Sequence, residues 1–169
     1  ATMTLNALSE GESIADFVGP LGNPTEGEGI KKACVVGGGV GCAIALPVVR
    51  ELHEMGCEVT SIVGFRSKDL VILEDEFRAA SDKFVMMTDD GSYGEKGNVT
   101  LPLKRMLEAG ETFDRVITIG PLIMMKFVAL ATKEYNIPTI ASMNPIMIDG
   151  TGMCGGCRLT VGGEGKFAC

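Results

Sequence analysis

From Lys31 onward the chain alternates short apolar runs with longer amphipathic stretches, and this alternation restricts the fold more than any other feature. Ala33-Cys34-Val35-Val36 is too short for a helix and is bounded by three glycines, so it predicts a buried strand. Cys42 to Met55 carries Ile44, Val48, Leu52 and Met55 at helical spacing, and Gly56 stops it. Pro47 lies inside this stretch, where it either kinks the helix or occupies its first turn. Further strands are predicted at 58–65, 83–88, 115–119 and 138–141, with helices at 70–81, 101–109 and 122–134. Five strands with helices between them predict an α/β domain. Its five-stranded parallel sheet is covered by helices on both faces, and ligands sit where loops leave the carboxyl ends of the strands.

The flanks differ in kind. Residues 1–29 show little periodicity and many breakers, including Gly19-Pro20-Leu21-Gly22-Asn23-Pro24, and predict strand fragments and loop, the remnant of something larger. After Ser142 the composition shifts to Gly, Met and Cys, which leaves no room for a long regular element. The chain therefore divides into 1–29, 30–142 and 143–169.

With 169 residues, 46% of them hydrophobic, one sizeable core is expected with appendages around it. A formal charge of −7 with dispersed Lys and Arg excludes nucleic acid as a partner, because phosphate binding needs clustered positive charge. No run approaches the roughly 20 apolar residues of a membrane helix, and Ala1-Thr2-Met3-Thr4 does not open a signal peptide. The expected setting is the cytoplasm, where six cysteines are not a disulfide framework. Cys34, Cys42 and Cys57 read as small packed hydrophobes and His53 as a solvated side chain.

Three groups of residues can carry chemistry. Gly37-Gly38-Gly39-Val40-Gly41 follows the first strand and opens the first helix, where backbone N–H groups can approach a pyrophosphate; the alternative is a tight turn without ligand. At the end of the second strand, Arg66-Ser67-Lys68 stands where a carboxylate would read a ribose 2′-hydroxyl. Arg66 can fork onto a 2′-phosphate, Ser67 can add a hydrogen bond and Lys68 can add charge, which favours NADP(H) over NAD(H); a solvated turn is the alternative. Cys154-Gly155-Gly156-Cys157 sets two thiols on one turn, and Cys169 returns 12 residues later. Zinc and an iron-sulfur cluster both suit such ligands, and the glycines favour a cluster because its sulfides need nearby backbone N–H groups. The free fourth ligand is Asp149, whose other reading is an Asp-Gly turn.

Several segments together carry a resemblance. They are Gly19 to Pro24, Gly37 to Gly41, Thr88-Asp89-Asp90-Gly91-Ser92-Tyr93-Gly94-Glu95-Lys96-Gly97, Gly120-Pro121, and Asn144-Pro145-Ile146-Met147-Ile148-Asp149 with the cysteines behind it. The chain resembles the small subunits of NADH-dependent ferredoxin-NADP⁺ oxidoreductases and sulfide dehydrogenases. These are relatives of the dihydroorotate dehydrogenase electron-transfer subunit within the ferredoxin reductase family.

The resemblance implies a 2Fe-2S cluster held by Asp149, Cys154, Cys157 and Cys169, with aspartate where the dihydroorotate dehydrogenase relatives carry a fourth cysteine. It also implies Asp90 among the cofactor-binding residues and Gly120, Pro121 and Met124 beside the nicotinamide. FAD belongs to the intact subunit, whose N-terminal barrel with its Arg-x-Tyr-Ser type motif has no counterpart here, so the sequence reads as a C-terminal fragment. The implied activity is electron transfer between NADP(H) and the cluster through FAD, with a large flavin- and iron-sulfur-containing subunit as partner and ferredoxin reached indirectly. Electron bifurcation is a possible extension of that activity. The rivals are a dihydroorotate dehydrogenase electron-transfer subunit using NADH and a zinc-stabilised nucleotide-binding module without redox activity.

Overall fold

The computed structural model describes every residue except Ala1, Asn23, Glu26, Asn144 and Pro145. Asn23 of the Gly19–Pro24 segment and Asn144-Pro145 ahead of Asp149 thus lie outside the described residues. The chain forms two compact units, Thr25–Asn144 and a second one assembled from Ala1–Pro24 and Pro145–Cys169.

In Thr25–Asn144 the strands are β1 (Lys32–Gly38), β2 (Glu58–Phe65), β3 (Lys83–Thr88), β4 (Glu95–Lys96), β5 (Arg115–Ile119) and β6 (Thr139–Ala141). They make one sheet in the order β4-β3-β2-β1-β5-β6, with every pairing parallel. The α/β architecture matches the expectation, but the sheet has six strands where five were expected. The sixth is β4, two residues long and therefore without periodicity to read. It forms because Gly94, at φ +64, turns the chain back so closely beside β3 that any Cβ would meet the Met86 carbonyl.

Helices α2 (Gly41–Glu54), α3 (Glu74–Ala79), α4 (Thr100–Glu108) and α5 (Leu122–Lys133) connect the strands; α1 (Thr2–Asn6) belongs to the other unit. The sheet buries apolar side chains on both faces. Val35, Val59 and Val63 pack with Ala45, Val49 and Phe77 on one side, whereas Val36, Ile62 and Val116 pack with Leu103, Leu107 and Val128 on the other. That two-sided burial explains why these strands read as continuous apolar runs.

Three local expectations change. Pro47 is in the body of α2, beyond its first turn, and its ring faces solvent. The helix expected over 70–81 shrinks to α3, preceded by a 3₁₀ turn at Lys68–Leu70. Leu73 sits at φ +59 and packs with Val71 against the core, so burial of these two side chains overrides helical continuity; α3 then starts on Glu74, Asp75 and Glu76, acids that suit a helix N-terminus. Finally, Thr2–Asn6 is helical where loop and strand fragments were expected.

The second unit contains an antiparallel hairpin, β7 (Arg158–Val161) and β8 (Glu164–Phe167). Among its described residues the one buried apolar side chain is Cys157. No helix among the described residues is long and apolar enough to cross a membrane.

Candidate functional site

The register aligns the carboxyl ends of the central strands along one edge. Gly38 is opposite Gly64, Gly37 opposite Ile119, and Phe65 opposite Thr88. The chain leaves β1 toward β2 on one side and β5 continues the sheet on the other, so the crevice between the β1 and β5 loops is the topological switch point. Gly37–Gly41 and Gly120-Pro121 flank it.

The glycines there do different jobs. A Cβ on Gly37 would lie 2.9 Å from Cys42 Sγ; on Gly38 it would run into Met124 Sδ; on Gly41 it would stand 2.5 Å from the Ile119 carbonyl oxygen. These three are glycines because helix α2 and the β5 loop press against the strand end. Gly39 alone of the loop's glycines has φ +54 and open space where its Cβ would be, and its N–H donates to the Gly64 carbonyl at 2.8 Å. Val40 follows, 80% exposed, and the first turn of α2 has no side-chain cap. Open approach at Gly39 and an uncapped positive helix end are what an anionic pyrophosphate requires. Met124 lies over both Gly38 and Gly120, so Gly38, Gly41, Gly120, Pro121 and Met124 form one packed cluster.

Arg66 is exposed and makes no ion pair among the described residues, Ser67 is half-buried in extended conformation, and Lys68 Nζ lies 5.3 Å from the centre of the Tyr93 ring. This loop is fastened to the turn after β3. The Asp90 N–H donates to the Arg66 carbonyl (3.2 Å), and the Lys68 N–H donates to Ser92 Oγ (2.8 Å). Ser92 in turn donates its hydroxyl (2.6 Å) and its N–H (2.9 Å) to Asp90 Oδ1, which holds the Asp90 carboxyl below its ordinary range. Ser92 is a participant that the sequence did not single out, although Asp-x-Ser in a turn is a signal for such a bond. Thr88 Oγ1 donates to the Tyr93 carbonyl (2.6 Å) and accepts its N–H (3.1 Å), and the Tyr93 hydroxyl donates to Glu74 (3.0 Å).

In the second unit the four expected ligands fall into two pairs. Cys157 and Cys169 sulfurs are 3.2 Å apart, within hydrogen-bond reach of each other. The Cys169 N–H, 3.5 Å from Cys157 Sγ, and the Cys169 thiol pull the Cys157 thiol below its ordinary range, whereas the hydrogen bond to Cys157 and burial push Cys169 up. The Asp149 carboxylate accepts from the Thr151 N–H (2.9 Å) and hydroxyl (3.1 Å) and lies against the thiol and N–H of Cys154, contacts that lower its pKa. The Gly156 N–H points at Cys154 Sγ from 3.4 Å. Asp149 thus makes an Asp-Gly turn and a thiol contact at once.

Among the described residues no three potential ligands converge on one point as a single ion requires. A two-iron centre asks for less, because each iron takes two protein ligands. Two pairs of soft and hard donors, with backbone N–H groups aimed at two of the sulfurs, suit that demand. Gly22 and Gly156 keep the region tight: a Cβ would meet the Cys169 carbonyl oxygen and Ile148 Cδ1 respectively, both at 2.7 Å.

The other cysteines are excluded from chemistry by burial, which raises the Cys34 and Cys57 thiols and pushes Cys42 up to about 12. His53 is 43% exposed and stands 3.7 Å from Asp82.

Residues 144–169 match the iron-sulfur cluster binding domain of dihydroorotate dehydrogenase B. Over 99% of its length the chain is 51% identical to an uncharacterized protein in the adh 3′ region of Clostridium beijerinckii. It is 48% identical, again over 99%, to a dihydroorotate dehydrogenase B electron transfer subunit homolog of Thermotoga maritima. These alignments span 60% and 59% of the two relatives. A chain of the NADH-dependent reduced ferredoxin-NADP oxidoreductase, solved for insight into flavin-based electron bifurcation, superposes with a TM-score of 0.88 at 44% identity, covering 99% of this chain and 60% of that one. Over nearly its whole length the chain is similar to dihydroorotate dehydrogenase B electron-transfer subunits and their homologues, and it spans about three fifths of the length of those relatives.

Proposed function

We propose that this chain is the nucleotide- and cluster-binding part of a cytoplasmic electron-transfer subunit that exchanges electrons between NADP(H) and a 2Fe-2S centre through FAD held by the intact subunit. Gly39, Val40 and the start of α2 receive the pyrophosphate, while Gly37, Gly38 and Gly41 give the strand end its shape. Arg66, Ser67 and Lys68, braced by Asp90, take the 2′-phosphate, and Gly120, Pro121 and Met124 bound the nicotinamide end of the crevice. Asp149, Cys154, Cys157 and Cys169 hold the cluster. In this division 1–29 is the remnant of the flavin barrel and its linker, 30–142 binds nucleotide and 143–169 carries the cluster. When bound, flavin accepts a hydride's electron pair and the cluster passes electrons singly, so no side chain has to act as acid or base.

The observation that carries this reading is the approach of the Cys157 and Cys169 sulfurs to 3.2 Å in a unit that has almost no apolar interior of its own. Asp149 against Cys154 also favours the ferredoxin-NADP⁺ oxidoreductase type over the NADH-using alternative. The partner is a large flavin- and iron-sulfur-containing subunit, with ferredoxin beyond it; bifurcation comes from the solved relative.

Anaerobic loading of the chain with ferrous iron and sulfide tests the cluster. A brown chromophore that bleaches with dithionite and is lost in Cys157→Ser is expected; a colourless product retaining stoichiometric zinc would refute it.

A further inference from the structure

Cys157 and Cys169 are brought together by main-chain geometry. Gly162 and Gly163, at φ +59 and +87, turn the chain between β7 and β8, and two successive positive φ values suit a tight antiparallel hairpin. Its register sets Arg158 opposite Phe167, with the guanidinium 5.5 Å from the ring centre. One step further the Ala168 N–H donates to the Cys157 carbonyl at 3.1 Å, and the Cys169 carbonyl is backed by Gly22, where a Cβ would stand 2.7 Å from its oxygen. The hairpin thus holds the two sulfurs 3.2 Å apart.

Cys154 is engaged elsewhere. It lies against Asp149 and receives the Gly156 N–H at 3.4 Å, and neither partner can close a disulfide. The C-x-x-C spacing alone points to a bridge between Cys154 and Cys157, but the structure sets Cys157 beside Cys169 instead. Access is unequal as well: Cys157 is 2% exposed, Cys169 half-buried and Cys154 exposed.

We propose that in the cluster-free chain Cys157 and Cys169 form a reversible disulfide with a peroxide as oxidant, which shelters both from irreversible oxidation while Cys154 stays open to it. The peroxide transfers one oxygen to the half-buried Cys169 sulfur, giving a sulfenic acid and releasing water or an alcohol. The Cys157 sulfur then attacks; the S–O bond breaks, and the hydroxyl leaves as water with the Cys157 proton. Two thiols lose two electrons and the peroxide gains them. Cys154 has no thiol beside it, so its sulfenic acid advances to the sulfinic and sulfonic acids. The bridge follows from the positions of two thiols; only its role as a guard of metal ligands rests on the cluster reading.

The test treats the whole chain, reduced and freed of metal with a chelator, with excess hydrogen peroxide, and maps the cysteines by mass spectrometry before and after dithiothreitol. A bridge between Cys157 and Cys169 is expected, and dithiothreitol returns both as thiols while Cys154 remains oxidised. The bridge persists in Cys154→Ser; in Cys157→Ser it is lost and Cys169 is irreversibly oxidised. A bridge between Cys154 and Cys157, equal irreversible oxidation of all three, or recovery of Cys169 as a thiol in Cys157→Ser would overturn the inference. A Cys157–Cys169 bridge in a chain that, when reduced, takes up no iron and sulfide would uphold the disulfide and overturn the cluster reading.

Discussion

Met124 decides what the glycine-rich loop tolerates. Its sulfur occupies the space that a Cβ on Gly38 would need, so Gly38→Ala is expected to destabilise the chain by roughly 1–3 kcal/mol in urea titration. Adding Met124→Ala should return part of that loss, whereas Gly39→Ala meets no neighbour and pays only for its positive φ. Asp114 supplies a pH dependence. It accepts the N–H groups of Lys31 and Lys32, both at 2.9 Å, which depress its pKa in the folded chain. A depressed carboxylate contributes stability above its unfolded pKa of about 3.9 and loses it as pH falls through the lower folded value, so Asp114→Asn should flatten the urea midpoint between pH 5 and about pH 3. The sequence made the loop, the basic triplet and the C-x-x-C turn legible, because each is contiguous and chemically marked. It could not show that Gly38 and Gly41 serve packing, since that depends on Met124 and Ile119, some 80 residues away.

Helix α5 shows what an element boundary owes to one residue. Its chain turns through Asn136 at φ +56, with the Ile137 N–H returning to the Thr132 carbonyl at 3.2 Å. Asn136→Ala should cost about 1 kcal/mol for placing a Cβ in the left-handed region, and Asn136→Gly should cost nothing; thermal melts distinguish them. Long periodic segments such as α2 and α5 and the buried strands β1 and β2 were readable from apolar spacing alone. Strand β4 and the short α3 were not, because a two-residue strand has no period and because burial of Leu73 against the core outweighs its helix propensity.

The two units draw on different sources of order. Thr25–Asn144 holds nearly all the buried apolar side chains, whereas Ala1–Pro24 with Pro145–Cys169 buries Cys157 alone among its described residues. A segment with so little interior depends on cross-linking for stability, as small metal-held domains do. Hydrogen exchange should therefore show slowed amides across 146–169 after loading with iron and sulfide, and unchanged amides in β1, β2 and β5; slowing throughout the sheet would contradict this division. The boundary near residue 143 was visible as a shift in composition, but the association of both chain ends in one unit was not, because nothing in their spacing links Gly22 to Cys169. One consequence concerns maturation. If metal alone orders the tail, nutrient supply and folding separate in time: a cell starved of iron would hold a finished parallel sheet beside a tail still open to proteases, and trimming would stop short of the sheet.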